Sequence, residues 1–158
     1  MKKHLNTFLL AFSLILLGST AAQAQTFPGS SNPSWKKSDP WKRSQLMQAS
    51  DLALLIKNPK AKKPLIFNIG VVQDIKGARN LGAASEKENL ERFKKTLKGL
   101  PKTTFLVVYC GCCPFDKCPN IRPAIRTLNE MGFTNAKLLN LPTNIKTDWK
   151  DKGYPLAP

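Results

Sequence analysis

The sequence predicts an α/β domain: a central parallel sheet with helices on both faces. Three observations predict it. Residues 65–69 (Leu-Ile-Phe-Asn-Ile) and 105–109 (Phe-Leu-Val-Val-Tyr) are short, nearly continuous apolar runs, the pattern of strands covered on both faces. Stretches with helical periodicity alternate with these runs, and the links between them are short.

The elements follow in order. Residues 51–56, Asp-Leu-Ala-Leu-Leu-Ile, read as a short helix with Ser50 as N-cap and an acid in the first turn, ending before Pro59. The 65–69 strand follows Pro64. Ser85-Glu86-Lys87-Glu88 has the form of a capping box, opening a helix that places Leu90, Phe93 and Leu97 on one face, with Gly99 as terminator and Pro101 as stop. The 105–109 run is the most apolar and is expected at the sheet centre. Ile121, Ala124, Ile125, Leu128 and Met131 then recur at helical spacing up to Gly132, and residues 136–141 give one more strand.

The chain begins with Lys2-Lys3, an apolar stretch from Phe8 to Leu17, and Ala22-Gln23-Ala24, the three-part pattern of a cleaved secretory signal over residues 1–24. Ser13, Gly18, Ser19 and Thr20 interrupt the run before it reaches the length of a membrane span, so no transmembrane anchor is expected in the mature chain. The expected location is periplasmic or otherwise exported. Residues 25–45 form a Ser-, Pro- and Gly-bearing lead-in, which Trp35 and Trp41 are placed to pin onto a single domain over 46–158. The net charge is +15 for the whole chain and +13 once Lys2 and Lys3 are removed. The lysines are scattered without interleaved aromatics, which argues against a nucleic-acid platform and fits solubility or attraction of small anions.

Chemistry concentrates at one place. All four cysteines fall in Cys110-Gly111-Cys112-Cys113-Pro114-Phe115-Asp116-Lys117-Cys118, directly after the 105–109 strand. The only histidine is His4, inside the expected signal, so the site must work without imidazole. Cys110 lies at the carboxyl end of a strand, where open α/β sheets bind ligands, and faces a helix expected to open near Pro119 or Pro123. The helix N-terminus favours a thiolate or a bound anion, and Lys117, Arg122 and Arg126 are candidate anion-binding residues.

The loop thiols Cys112, Cys113 and Cys118 leave several readings open. In an oxidising compartment a disulfide staple is possible, with Cys110–Cys113 and Cys112–Cys118 the least strained complete pairing. Cys110-Gly111-Cys112-Cys113 also contains a Cys-x-x-Cys spacing in which Cys113 could resolve a disulfide or persulfide. Dense thiolates suit copper(I), zinc or an iron–sulfur cluster too, though the spacing matches no paired Cys-x-x-Cys knuckle, and the leading expectation includes no metal and no cofactor. A cysteine phosphatase is excluded: six positions after each cysteine stand Asp116, Cys118, Pro119 and Ala124, never the arginine that would clamp phosphate. Tyr109, Phe115, Phe133 and Trp149 read as packing groups, and Asp116 as a solvated turn position.

Over about residues 47–155 the chain resembles the rhodanese-like family. The resemblance rests on Val108-Tyr109-Cys110 at the strand end, Ile75-Lys76-Gly77-Ala78 beside that family's Ile-Pro-Gly-Ala, Met131-Gly132-Phe133, and Trp149 followed by Gly153-Tyr154-Pro155. It implies a small α/β fold and, by position, Cys110 as the cysteine that carries sulfane sulfur as a persulfide between a small anionic donor such as thiosulfate and a thiol or other thiophilic acceptor. It names no protein partner. The chain departs from the family in having Asn68-Ile69-Gly70 where Asp-x-Arg is usual and Asp74 where a histidine commonly stands, so a salt-bridged brace is missing. Its cysteine loop is also longer and carries three additional thiols.

Overall fold

The computed structural model describes residues 39–158. The expected signal at 1–24, Trp35 and the lead-in up to residue 38 lie outside the described residues. Among the described residues no helix is long and apolar enough to cross a membrane.

Five parallel strands form one sheet: β1 (Leu46–Gln48), β2 (Leu65–Asn68), β3 (Ala78–Asn80), β4 (Leu106–Tyr109) and β5 (Ala136–Asn140), in the order β1-β5-β4-β2-β3. Four helices accompany them: α1 (Ala49–Lys57), α2 (Lys87–Leu97), α3 (Ile121–Glu130) and the short α4 (Ile145–Asp148). The α/β class and parallel sheet expected from the sequence are therefore present, and the strand order is compatible with the rhodanese-like fold. β4 is central and buried along its whole length.

Alternation along the strands divides the core in two, because successive side chains point to opposite faces. Phe67, Leu106 and Val108 pack with Phe93 and Leu97 of α2 and with Ile121, Ile125 and Leu128 of α3. Ile66, Val107 and Tyr109 pack on the other face with Leu52, Ala53 and Ile56 of α1 and with Trp149. Both faces are thus covered, which is why β4 reads as an unbroken apolar run. Trp149 is fully buried, its indole N–H donating to the Pro155 carbonyl at 3.0 Å, and the Tyr109 hydroxyl accepts from the Ile75 N–H at 2.8 Å.

Helix ends depart from expectation at the N-termini. α1 opens two residues early, at Ala49, because the chain runs straight into it from β1; Gln48 is the cap and Ser50 only approaches Asp51. No capping box forms at Ser85, since α2 starts at Lys87 after Glu86 and the Ser85 N–H is taken by the Asn120 side chain at 2.9 Å. Gly99 directly follows Lys98, the C-cap of α2, as expected, but it is not one of the glycines with positive φ. Gly132 does terminate α3: with φ of +78° it lets its own N–H reach Asn129 O and the Phe133 N–H reach Leu128 O, both at 3.0 Å.

After β2 the chain is held by Asn68, a fully buried side chain. Its amide donates to the Val72 carbonyl and to Asp74 Oδ1, both at 2.8 Å, and its Oδ1 accepts from the Gly70 N–H at 3.0 Å. Asn80 adds a bond to the same Asp74 oxygen at 3.2 Å. A brace of amides around one carboxylate thus holds the segment after β2. Asn68→Ala strands the buried Gly70 N–H and loosens Asp74, so it should cost about 2 kcal/mol or more in urea unfolding; a loss within error of zero would show that water replaces the amide.

Candidate functional site

The site lies where the order of strands reverses. From β2 the chain moves one way to β3, then crosses back to place β4 on the other side of β2 and continues outward to β5. Crevices open at such a reversal, at the carboxyl ends of the strands on either side of it. Here those ends are Gly70, after β2, and Cys110, after β4. They touch so closely that a Cβ built on Gly70 would stand 2.4 Å from Cys110 Sγ. Only glycine fits there.

Gly111 turns the chain out of β4 with φ of +79°, and a side chain there would meet Ile145 Cβ at 2.8 Å. The Gly111 carbonyl accepts from the Ile145 N–H at 2.8 Å, and the Phe115 N–H bonds to Leu141 O at 3.2 Å, tying the loop to the segment after β5. Phe115 is buried against Trp41, ring centroids 5.8 Å apart. Thus Trp41 does pin its segment to the domain, and it does so on the cysteine loop itself.

All four thiols are free. Cys110 and Cys118 are buried, Cys113 is half-buried and Cys112 is exposed. Cys112 Sγ lies 3.3 Å from Cys110, 3.5 Å from Cys113 and 3.8 Å from Cys118, so it is the common neighbour. Cys110–Cys113, favoured from strain alone, is not among these closest approaches.

Asn120 was not singled out from the sequence. A residue of its type just before a helix reads as an N-cap, yet its side chain makes no cap bond to α3. Instead Nδ2 donates to Cys110 Sγ at 3.2 Å while Oδ1 accepts from the Ser85 N–H. The amide is thus oriented by one bond and aimed at the thiol by the other.

These neighbours set the charge of the cluster. Cys110 is held well below the ordinary thiol range, at about 5, chiefly by the Cys118 thiol, against an opposing contribution from burial, with help from the Cys112 N–H, Asn120 and the Cys112 thiol. Burial and the neighbouring Cys110 and Cys113 thiols push Cys112 up to about 12. Cys118 is pushed up further, first by the nearby Cys110 sulfur and then by burial. Among Cys110, Cys112 and Cys118 the negative charge is thus favoured on Cys110.

The expected cations are either held by other partners or exposed. The Arg122 guanidinium is engaged by Asp39, by the Asp116 carbonyl at 2.6 Å and by the Trp41 ring at 5.1 Å, so it braces the loop from behind. Lys117 and Arg126 are exposed. Pro123 occupies the first turn of α3, where its missing N–H has no helical duty.

Chemically, a desolvated thiolate beside a second thiol suits sulfur exchange. The Sγ atoms of Cys110, Cys112 and Cys118 also lie within 4.8 Å of one another, and three thiolates about 2.3 Å from one soft ion would stand about 4 Å apart. The donor set fits such an ion in ligand type.

No protein-family model matches the chain, and neither a curated protein nor a solved structure matches it.

Asn120→Ala removes a donor to the charged form of Cys110 while leaving the other neighbours, so the midpoint of Cys110 alkylation should move up in pH from about 5 toward the ordinary thiol range. Mass mapping of the alkylated cysteine against pH checks this; an unmoved midpoint would assign the stabilisation to the thiols and the Cys112 N–H alone.

Proposed function

We propose that the loop from Cys110 to Arg122 is a sulfur-transfer site in which Cys110 carries sulfane sulfur as a persulfide. The single observation that carries this reading is the setting of Cys110 Sγ: at the strand-order reversal, packed on Gly70, with Asn120 Nδ2 at 3.2 Å. The thiolate it favours is the nucleophile that the chemistry requires, and no histidine is needed to make it.

The first step is attack of the Cys110 thiolate on the outer sulfur of a small anionic donor such as thiosulfate. A sulfur–sulfur bond forms to Cys110, the donor's own sulfur–sulfur bond breaks, and sulfite leaves with the bonding pair. A thiophilic acceptor such as cyanide then takes the terminal sulfur and returns Cys110 to thiolate. Asn120 Nδ2 is placed to hold the charge whenever it resides on Cys110. The strongly positive chain favours approach of an anion.

Export belongs to the same proposal. With residues 1–24 removed, the protein would work outside the cytoplasm, in an oxidising compartment.

Cys110→Ser should abolish formation of thiocyanate from thiosulfate and cyanide while the circular dichroism of the folded protein is retained. Turnover that persists would move the nucleophile to another cysteine, and a wild-type protein without turnover towards any sulfane donor would remove the reading. Protection of Cys110, Cys112 and Cys118 together from alkylation, lost on adding a chelator, would replace it with metal binding.

The mature chain should begin at Gln25 and fractionate outside the cytoplasm. N-terminal sequencing that finds Met1 on a cytoplasmic protein would refute the export half of the proposal.

A further inference from the structure

Resting on that reading, we infer that Cys112 is the outlet of the site: it takes the sulfane sulfur from buried Cys110 and presents it to the thiol of a protein partner. Cys110 is 1% exposed and lies beneath its own loop, whereas Cys112 is exposed and its Sγ is 3.3 Å away. A thiol on a folded partner reaches Cys112 without disturbing the loop, and reaches Cys110 only by displacing it. One residue, Gly111, thus separates a shielded carrier from a surface thiol.

The step balances without an oxidant or reductant. Cys112 sulfur attacks the terminal sulfur of the Cys110 persulfide; a new sulfur–sulfur bond forms on Cys112, the bond between Cys110 Sγ and the terminal sulfur breaks, and Cys110 leaves as thiolate with the electron pair. The proton of the Cys112 thiol passes to the terminal sulfur, which ends as the Cys112 persulfide. A leaving thiolate departs faster the better its charge is held. Asn120 Nδ2, at 3.2 Å, donates to Cys110 Sγ, so the arrangement favours departure of Cys110 over retention of sulfur there. The competing attack, on the inner sulfur, would instead close a Cys110–Cys112 disulfide and expel sulfide. It would place the leaving charge on a sulfur that no observed donor holds.

The position of Cys112 relative to the other thiols supports an outlet. It is the neighbour shared by Cys110, Cys113 and Cys118, and the most exposed of the four. The partner is therefore a protein thiol, read by access and sulfur chemistry alone.

The experiment loads the folded, reduced protein with thiosulfate or inorganic polysulfide, blocks it at timed intervals with an alkylating agent, and locates the added sulfur atom by peptide fragmentation. Cys110 should carry it first and Cys112 later. Transfer is then compared for cyanide and for a small reduced single-cysteine protein as acceptors. Cys112→Ser should keep the sulfur on Cys110 and depress transfer to the protein thiol about tenfold or more relative to cyanide; Cys112→Ala serves if the serine variant does not fold. An unchanged ratio of the two acceptors in the variant would overturn the outlet, as would sulfide release accompanied by a Cys110–Cys112 disulfide in the wild type. Absence of added sulfur on Cys110 would fail the underlying reading, and with it the outlet, and is told apart from these outcomes by the loading step alone.

Discussion

The bond from Asn120 Nδ2 to Cys110 Sγ is the interaction on which the site depends. Burial at the end of an apolar strand opposes a charged sulfur, because it takes the sulfur out of bulk solvent. Asn120 supplies a donor inside that dry setting, and its other end is fixed by the Ser85 N–H, so the amide cannot rotate away without leaving a donor unpaired. Three elements meet in this one side chain: the end of β4, the start of α3 and the turn before α2. The packing of α2 and α3 on the same face of the sheet is what brings them together.

Two glycines make the approach possible. Gly70 lets the chain after β2 come against Cys110, and Asn68 fixes Gly70 by its N–H. Gly111 lets the chain leave β4 sharply enough for the next residues to fold back over the thiol. The outer side of the loop is then closed by a segment that precedes the sheet in sequence: Asp39 pairs with Arg122, and Trp41 packs on Phe115 and under the same guanidinium. Because the ion pair is partly buried and shares its arginine with a ring and a carbonyl, it constrains geometry more firmly than an exposed pair would.

Much of this was legible in the sequence, and the parts that were not have physical reasons. Strands β2, β4 and β5 and helices α2 and α3 carry strong patterns because each buries a continuous or periodic apolar set. β1 and β3 have only three residues each, too few to show a period, and they exist because neighbouring strands offer them backbone partners. Ser50 and Ser85 look like caps, but tertiary contacts decide where a helix begins: β1 runs directly into α1, and Asn120 claims the Ser85 N–H. Cys110 could be placed at the strand end because its position follows from the strand itself. Asn120 could not, since its local pattern is that of a helix cap and its actual partners lie 10 and 35 residues away in sequence. Arg122 looked like an anion ligand from its distance along the chain, whereas its partner Asp39 lies 83 residues away.

A cluster of thiols can do for sulfur chemistry what an imidazole does elsewhere. Histidine activates a cysteine by taking its proton and remaining beside it as a cation; here the neighbours stay neutral and donate hydrogen bonds instead. Cys110 is pushed down while Cys112 and Cys118 are pushed up, which means that one charge is concentrated on one sulfur and the others are held as thiols around it. Placing a second thiolate at these distances would set like charges against each other in a partly dry site. The order of ionisation is therefore set by position in the fold: the thiol at the strand end, aimed at by Asn120, ionises first. Moving that charge to another sulfur requires moving a proton the other way. A sulfur atom handed from Cys110 to Cys112 satisfies this condition, because the leaving carrier regains the charge that the site is built to hold.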